Sequence, residues 1–563
     1  MGPRPLLWLA RHRIGLATGR VARALGEAEA PRGPFLSPRA PAPPPLPAVQ
    51  RDAVLAAARA LGPAVAHGPF DPAAPALSLD LFAPGDVRPV WEANRLAWLP
   101  LLAQAHRLQP GGGHLLRAER RLSSWAAANP PWTGPNWACG QEAALRGLHL
   151  ALAHALLGGG APGPGLQALL RLHDRRIAVT QAYARAQDNN HTVSEPAGRL
   201  AIAWALGGDE TRHAAALSRA VARLVAPDGG FAVVSTGYHR LLLDTLSVVE
   251  WLRRHHGRPS LPVPLPTRAG AAARWLARLV CPESGGVPRL GHQDGSALAD
   301  LSLAGPEDAR GSAERAARLF LGASAGFPAD AGCAWLGLPP GPTLPAEAAW
   351  EATGTRGWAA GRTRLLLRTG PLRFRPGQAD LLHLDLWHGP ENLLRDTGTG
   401  AYNPPAESGW WLDHFPSAAA HNLIRFDETE PMPRAGRFLL ARWVATERLP
   451  DGAATRDAAG RRHARRVRQE GGDWVVEDRV TGRFRTLTLR WHLLPTPWRL
   501  CADGVESAAA RLRVTTDGPV ALALQSAPDS PSYGASREIP CLVLRAGSGI
   551  SLLRTRITIL SSL

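Results

Sequence analysis

The chain has 563 residues, 45% apolar and 20% charged, which excludes disordered and collagen-like chains and leaves room for more than one hydrophobic core. All 64 basic residues are arginine; they outnumber 47 acidic ones and give a formal charge of +17. Wholesale arginine beside abundant Ala, Gly and Pro is partly a coding style, yet a basic surface still favours a polyanion, whether a sulfated or uronate glycan, nucleic acid or membrane phosphate.

Residues 1–20 carry Arg4, Arg11, Arg13 and Arg20 among apolar residues and lack a clean apolar run ending in a small-residue cleavage site. This predicts a cytoplasmic protein, with the periplasm as the alternative. No stretch reaches the roughly 18 uninterrupted apolar residues of a membrane span. Residues 31–49 are Pro-rich, so 1–50 reads as an N-terminal arm and linker. From 51 to 350 the periodicity is helical. Leu145, Leu148, Leu152 and Leu156 share a face before Gly158–Gly160, and Leu242, Leu246 and Val249 repeat the spacing before Gly257. Such helices make stacked hairpins, and periodicity alone leaves a closed α/α barrel and an open solenoid equally available. From 351 to 563 the period shortens. Leucines 382, 384 and 386 alternate with His383, Asp385 and Trp387, and Trp474–Glu477 and Leu487–Trp491 also read as strands. Helices followed by strands predict an α+β multidomain chain whose second part is an antiparallel sandwich. Cys139, Cys281, Cys333, Cys501 and Cys541 have no CxxC spacing and are expected to be buried thiols.

Four segments carry candidate chemistry. In Asn136–Arg146, Glu142 and Arg146 are spaced for an ion pair within a helix, or else Asn136, Trp137, Gln141 and Glu142 line a substrate cleft with Trp137 as a sugar platform. In Gln187–Glu195, the polar groups Asn189, Asn190 and His191 precede a capping pair, Thr192 with Glu195, where amide dipoles favour an anion; the simpler reading is an Asx-rich turn. Tyr238, His239 and Arg240 stand where a loop enters a helix, in a chain with only four tyrosines. In the strand region Gln378-Ala-Asp leads to His383, and Asp396, Tyr402 and His421-Asn422 follow. Alternate polar residues there are usually a solvated sheet face, although Asp396 and His421 are also of metal-ligand type.

In this order the segments resemble the heparinase II/III-like superfamily, which includes heparin, heparan and alginate lyases with an α/α toroid, an incomplete helical barrel, followed by an antiparallel β-sandwich. The resemblance spans roughly 90–560. It implies a polysaccharide lyase acting by β-elimination on a uronate-containing polymer, with Asn190 neutralising the substrate carboxylate, His191 beside it, and Tyr238 as acid or as both base and acid, assisted by His239. C5–H is hard to ionise until that carboxylate is masked, and the leaving O4 then needs a proton. Asn189, Arg240, His383 and Tyr402 join the expected substrate-binding groups. The implied partner is an acidic polysaccharide, with neither nucleic acid nor an integral membrane segment.

The chain departs from the family pattern in one place. Where such lyases carry His-x-His before Ala-Asp, this sequence has Pro376 and Gln378. The implied zinc trio becomes Gln378, Asp396 and His421, weakened by a neutral amide, so a structural zinc is the only cofactor in view. The same departure keeps open a glycan-binding or assembly protein that has lost the chemistry. Hydrolysis, the other enzymatic alternative, needs two carboxylates, for which Glu142, Glu195 and Asp294 are unpaired candidates.

Overall fold

The computed structural model describes residues 3–37, 39, 41–62, 67–374 and 376–560. The other positions, several of them in the expected arm and linker, lie outside the described residues. The helices are α1 Pro3–Ala17, α2 Arg20–Leu25, α3 Ala48–Ala60, α4 Arg88–Asn94, α5 Trp98–Leu108, α6 His114–Ala128, α7 Gly140–Leu156, α8 Pro164–Gln187, α9 His191–Ala205, α10 Thr211–Leu224, α11 Thr236–His255, α12 Leu265–Ala277, α13 Arg310–Leu321 and α14 Ala331–Trp335. This is the helical half of an α/α toroid fold. The four leucines read from the sequence lie on α7, whose 17 residues are all buried, and Gly158–Gly160, each at positive φ, follow its end. Small residues bring α7 and α9 together. A Cβ at Gly147 would lie 2.8 Å from Ile202 Cδ1, and one at Gly198 2.7 Å from the Ala144 Cα.

The chain divides into two compact units that interleave in sequence. One comprises Met1–Pro227, Arg240–Ala277 and Ser296–Leu344; the other comprises Asp228–His239, Arg278–Gly295 and Pro345–Leu563. The entry into α11 and the loop before residue 296 thus pack with the strands.

A first sheet is a meander of β1 Ala349–Ala352, β2 Gly354–Ala360, β3 Thr363–Gly370, β4 Leu384–His388 and β5 Glu391–Leu394. The remaining strands are β6 Ile424–Phe426, β7 Arg434–Gly436, β8 Leu439–Leu440, β9 Ala445–Leu449, β10 Gly452–Arg456, β11 Arg462–Glu470, β12 Asp473–Thr481, β13 Thr486–His492, β14 Arg499–Cys501, β15 Gly504–Glu506, β16 Ala510–Thr516, β17 Val520–Asp529, β18 Arg537–Gly547 and β19 Leu552–Ile559. Eight form a sheet ordered β14-β15-β16-β19-β12-β11-β10-β9 and four a sheet ordered β17-β18-β13-β6, every pairing antiparallel. Leu367, Leu386, Val476, Trp491, Leu544 and Ile557 meet in one sandwich core. The expected strands at 474–477 and 487–491 lie inside β12 and β13, whereas the one at 382–387 starts two residues late. Leu382 is held at φ 71° by a turn in which the His383 N–H donates to the Asp380 carbonyl. Cys281, Cys333 and Cys541 are buried free thiols, while Cys139 and Cys501 are partly exposed.

One buried charge pair holds β11 to β12. Arg465 Nε and Nη2 donate to Asp478 Oδ1 and Oδ2 at 2.7 and 3.0 Å, its guanidinium lies 4.7 Å from the Trp491 ring, and Nη1 donates to the Leu382 carbonyl at 2.7 Å. Burial alone would raise the Asp478 carboxyl, but Arg465 and His463 hold it down to about 2, against an ordinary 3.8. A depressed carboxyl stabilises the fold above its unfolded pKa and loses that contribution as pH falls through its folded one. The loss here spans pH ~4 to ~2 and is worth about 2 kcal/mol. Asp478→Asn should remove this segment of the stability–pH curve measured by urea unfolding; an acid limb identical to wild type would show that the pair contributes nothing.

Candidate active site

In the unit that contains the strands, the first turn of α11 presents Tyr238. Its N–H donates to Ser235 Oγ at 3.0 Å and its hydroxyl donates to Asp294 Oδ2 at 2.7 Å. The Tyr402 hydroxyl lies 3.3 Å from the Tyr238 hydroxyl. These three groups form a continuous oxygen chain: carboxylate, phenol, phenol. Burial and the nearby Asp294 carboxylate push the Tyr402 phenol well above its ordinary pKa, so it stays protonated at neutral pH. The Tyr402 N–H donates to the Tyr533 hydroxyl at 2.8 Å, fixing the backbone behind the ring.

The loop before Asp294 is tied down residue by residue. Arg289 donates to the Ser530 and Asp396 carbonyls, both at 2.8 Å, and pairs with buried Asp529 at 2.5 Å. Gly291, at φ 64°, allows Val234 so close that a Cβ would sit 2.0 Å from its carbonyl oxygen. Ser235 Oγ donates to the His292 carbonyl at 2.6 Å, and the Gln293 N–H donates to Thr399 Oγ1 at 2.7 Å. The His292 ring meets Tyr402 edge-on at 5.4 Å, and burial lowers its pKa to about 4, which leaves a neutral imidazole. His292, Tyr402, Arg434 and Arg437 border a cavity of about 20 Å³, room for about one water. A larger trough of about 620 Å³ shares Pro416 and Arg434 with it and is lined by Trp410, His414 and Arg425. Trp410 is 46% exposed.

Sequence reasoning singled out Tyr238 and Tyr402 but did not join them, and it left Asp294 without a partner. The Gly-His-Gln-Asp-Gly loop carries no periodicity, so only the fold reveals what it holds. Other strand-region candidates are interior groups. His239 is buried with Phe231 edge-on at 6.4 Å, and so lies off any substrate surface. His383 is wholly buried. Its Nδ1 accepts the Asn422 N–H at 3.0 Å, which makes it a brace between chain segments rather than a substrate contact.

The expected metal trio is only partly a donor set. Asp396 Oδ2 and His421 Nε2 lie 3.3 Å apart, close to the roughly 3.4 Å edge that zinc–ligand bond lengths imply for a tetrahedron, and His421 Nδ1 is 2.8 Å from the Ser417 carbonyl. The buried Gln378 Oε1 has no hydrogen-bond partner, while its Nε2 donates to the Gly398 carbonyl at 3.1 Å. Two strong donors and an amide fall short of the four thiolate, imidazole or carboxylate ligands zinc prefers. Among the described residues no group of three or more His, Cys, Asp or Glu could hold a metal ion.

In the helical unit, Asn190 caps α9 and is nearly buried. One of its amide hydrogens goes to Gln141 Oε1 at 2.6 Å, and Ser194 Oγ donates to the same oxygen at 3.0 Å. Asn189 Oδ1 accepts the His191 N–H at 3.1 Å, and His191 Nδ1 is 3.7 Å from Glu195 Oε1. The expected Thr192–Glu195 capping pair does not form: the helix starts two residues earlier than that cap implies, and Thr192 Oγ1 donates back to the Ala184 carbonyl. The cleft wall expected at 136–142 is also corrected. Trp137 is 1% exposed, with Trp132 and His173 at 5.1 and 4.9 Å and its indole N–H on the Asn129 carbonyl, so no ring face is open to sugar. Asn136 is fully buried and donates to Asn129 Oδ1. Glu142 pairs not with Arg146 but with Arg95, bidentate at 2.7 and 2.8 Å, while Arg146 Nε donates to His173 Nε2 at 2.9 Å. Arg240 Nη2 donates to the Asp308 carbonyl at 2.7 Å, which makes it a loop clamp rather than a substrate contact.

A family model described as Heparinase II/III-like, C-terminal, matches residues 342–538, which cover most of the strand-bearing part of the chain. A crystal structure of heparinase III is similar over 100% of this chain and 92% of its own, with TM-score 0.64 and 14% identity. The heparan sulfate lyase HepC from Pedobacter heparinus is similar over 98% and 90%, with TM-score 0.55 and 16% identity. These likenesses are of fold. No curated protein matches the sequence.

The Arg95–Glu142 pair is enclosed, and removing Glu142 leaves the buried Arg95 only the half-exposed Glu92, 2.9 Å from its Nη1. Glu142→Ala should lower unfolding stability by about 3–5 kcal/mol, read from chemical denaturation; a loss below about 1 kcal/mol would return Glu142 to the list of groups open to substrate.

Proposed function

We propose that this protein is a polysaccharide lyase that cleaves an acidic, uronate-containing polymer by β-elimination. The observation that carries this reading is the Asp294–Tyr238–Tyr402 oxygen chain. Its two phenols supply the base and the acid that the reaction needs, and its carboxylate supplies a place for the extra proton. The Tyr238 oxygen takes the C5 proton while passing its own proton to Asp294 Oδ2. The electron pair released at C5 becomes the C4–C5 double bond, the C4–O4 bond breaks, and O4 takes the proton of the Tyr402 phenol. The proton on Asp294 then returns through Tyr238 to Tyr402, which restores both groups without consuming water. The reaction also needs the substrate carboxylate masked, the role that the resemblance implies for Asn190 and His191. Arg434 and Trp410 of the trough offer a cation and an apolar ring to neighbouring sugars. The fold likeness to proteins described as heparinase III and heparan sulfate lyase supports this substrate class.

Hydrolysis has less support, because Glu142 is consumed by Arg95 and Glu195 is buried, which leaves no exposed pair of carboxylates among these candidates. A binding protein without chemistry is disfavoured by the intact oxygen chain. Gln378, Asp396 and His421 are the residues that would hold a zinc ion, whose contribution would be a structural crosslink; with a neutral amide as the third donor they fall short of the set that zinc prefers.

Ultraviolet absorbance of unsaturated uronate, followed over a panel of alginate, heparin, heparan, hyaluronan and capsular polymers, tests the reaction. New reducing ends without absorbance would mean hydrolysis. Tyr238→Phe and Asp294→Asn should each lower kcat by about 10²-fold or more with KM little changed, since each removes a proton-carrying group and keeps the shape. Full turnover in either variant removes that residue from the relay. Dialysis against a chelator should leave the Tm unchanged, whereas a drop of several degrees that added zinc reverses would assign the metal.

A further inference from the structure

Helix α1 has two apolar faces. One packs on α8: Pro5 and Gly15 are buried, the His12 ring lies 5.0 Å from Tyr183, and Arg185 stands over the Trp8 ring at 4.8 Å. At 100° per residue the opposite face gathers Leu6, Ala10, Ile14, Leu7 and Ala17 into a continuous stripe. Leu6, Leu7 and Ile14 are 52, 71 and 59% exposed. The same wheel puts Arg13 on one edge of the stripe and Arg4 and Arg11 on the other, and Arg20 and Arg23 continue the charge along α2; all five are exposed. From Pro3 to Gly26 there is no acidic residue.

We propose that α1 is a membrane-surface helix that seats its apolar stripe in the interface of an anionic phospholipid bilayer, with the flanking arginines on the headgroup phosphates. An apolar stripe bordered on both sides by fixed positive charge is the pattern such a helix requires, and the five arginines match the negative charge of the lipid surface. A polyanionic glycan would satisfy the arginines but leave Leu6, Leu7 and Ile14 in water. A second copy of this helix would cover the leucines but set ten arginines against one another. Lipid satisfies both. Attachment is peripheral, since among the described residues no helix is long and apolar enough to cross a membrane. The inference stands apart from the lyase reading, because α1 holds none of the groups in the proposed reaction.

The test is co-sedimentation of the full chain with phosphatidylcholine vesicles, with and without phosphatidylglycerol. Wild type should pellet with the anionic vesicles, should not pellet with the neutral ones, and should be released by high salt. Leu7→Gln combined with Ile14→Gln should weaken partitioning at least about tenfold, and Arg11→Gln about fivefold. The Tm should not move in any of these variants, since each altered side chain is exposed, and lyase activity should be kept. Equal pelleting of wild type and the double variant, or no pelleting with anionic vesicles, overturns the proposal. So does a concentration-dependent dimer that the double variant abolishes, which would make a second copy the occupant.

Discussion

The proposed chemistry hangs on a single buried carboxylate that takes no part in it. Asp529, at the end of β17, is fully buried and gathers Arg289 at 2.5 Å, Arg537 at 2.9 Å and Arg395 at 3.7 Å. Arg289 in turn spans two backbone carbonyls, and the loop that it anchors ends at Asp294. A hydrogen bond as short as that from Tyr238 to Asp294 keeps its directional value only if both ends are held, and α11 holds one end while Arg289 holds the other. The enclosed charge is therefore better read as a fixture for geometry than as a source of stability, because desolvation offsets much of what such pairs gain.

This arrangement explains why the active residues are drawn from segments far apart in sequence. Asp228–His239 and Arg278–Gly295 belong to the same compact unit as the strands, although both lie among helices. The Asp228 carboxylate accepts the N–H and hydroxyl of Thr353 at 2.8 and 2.9 Å, which ties the first of these segments to the turn between β1 and β2. The two phenols thus belong to one compact unit.

What the sequence made legible follows from local physics. The leucine spacing of α7, the glycines after it and the alternation in β12 and β13 are set by nearest neighbours on one element, so they survive translation into structure. Tyr238 was legible as a tyrosine at a helix start. Its dependence on Asp294 was not, because 56 residues separate the two and neither lies in a periodic segment. The reading of Trp137 failed for a related reason. An indole beside polar residues is the same string of letters whether its faces meet sugar or, as here, Trp125, Trp132, His173 and Arg146. Glu142 and Arg146 had the spacing of a helix pair, but α7 is buried all round, and tertiary partners outbid the local one.

The closeness of α7 and α9 has a mechanical corollary. Hydrogen atoms on Gly147 and Gly198 set the separation of two helices, and Asn190 sits at the end of one of them, bonded to Gln141 on the other. The two glycines therefore act as a spacer gauge for that amide. A methyl group introduced at either would wedge the helices apart and swing Asn190 away from its anchor while leaving every polar residue in place, so the amide could be disarmed by a substitution that never touches it.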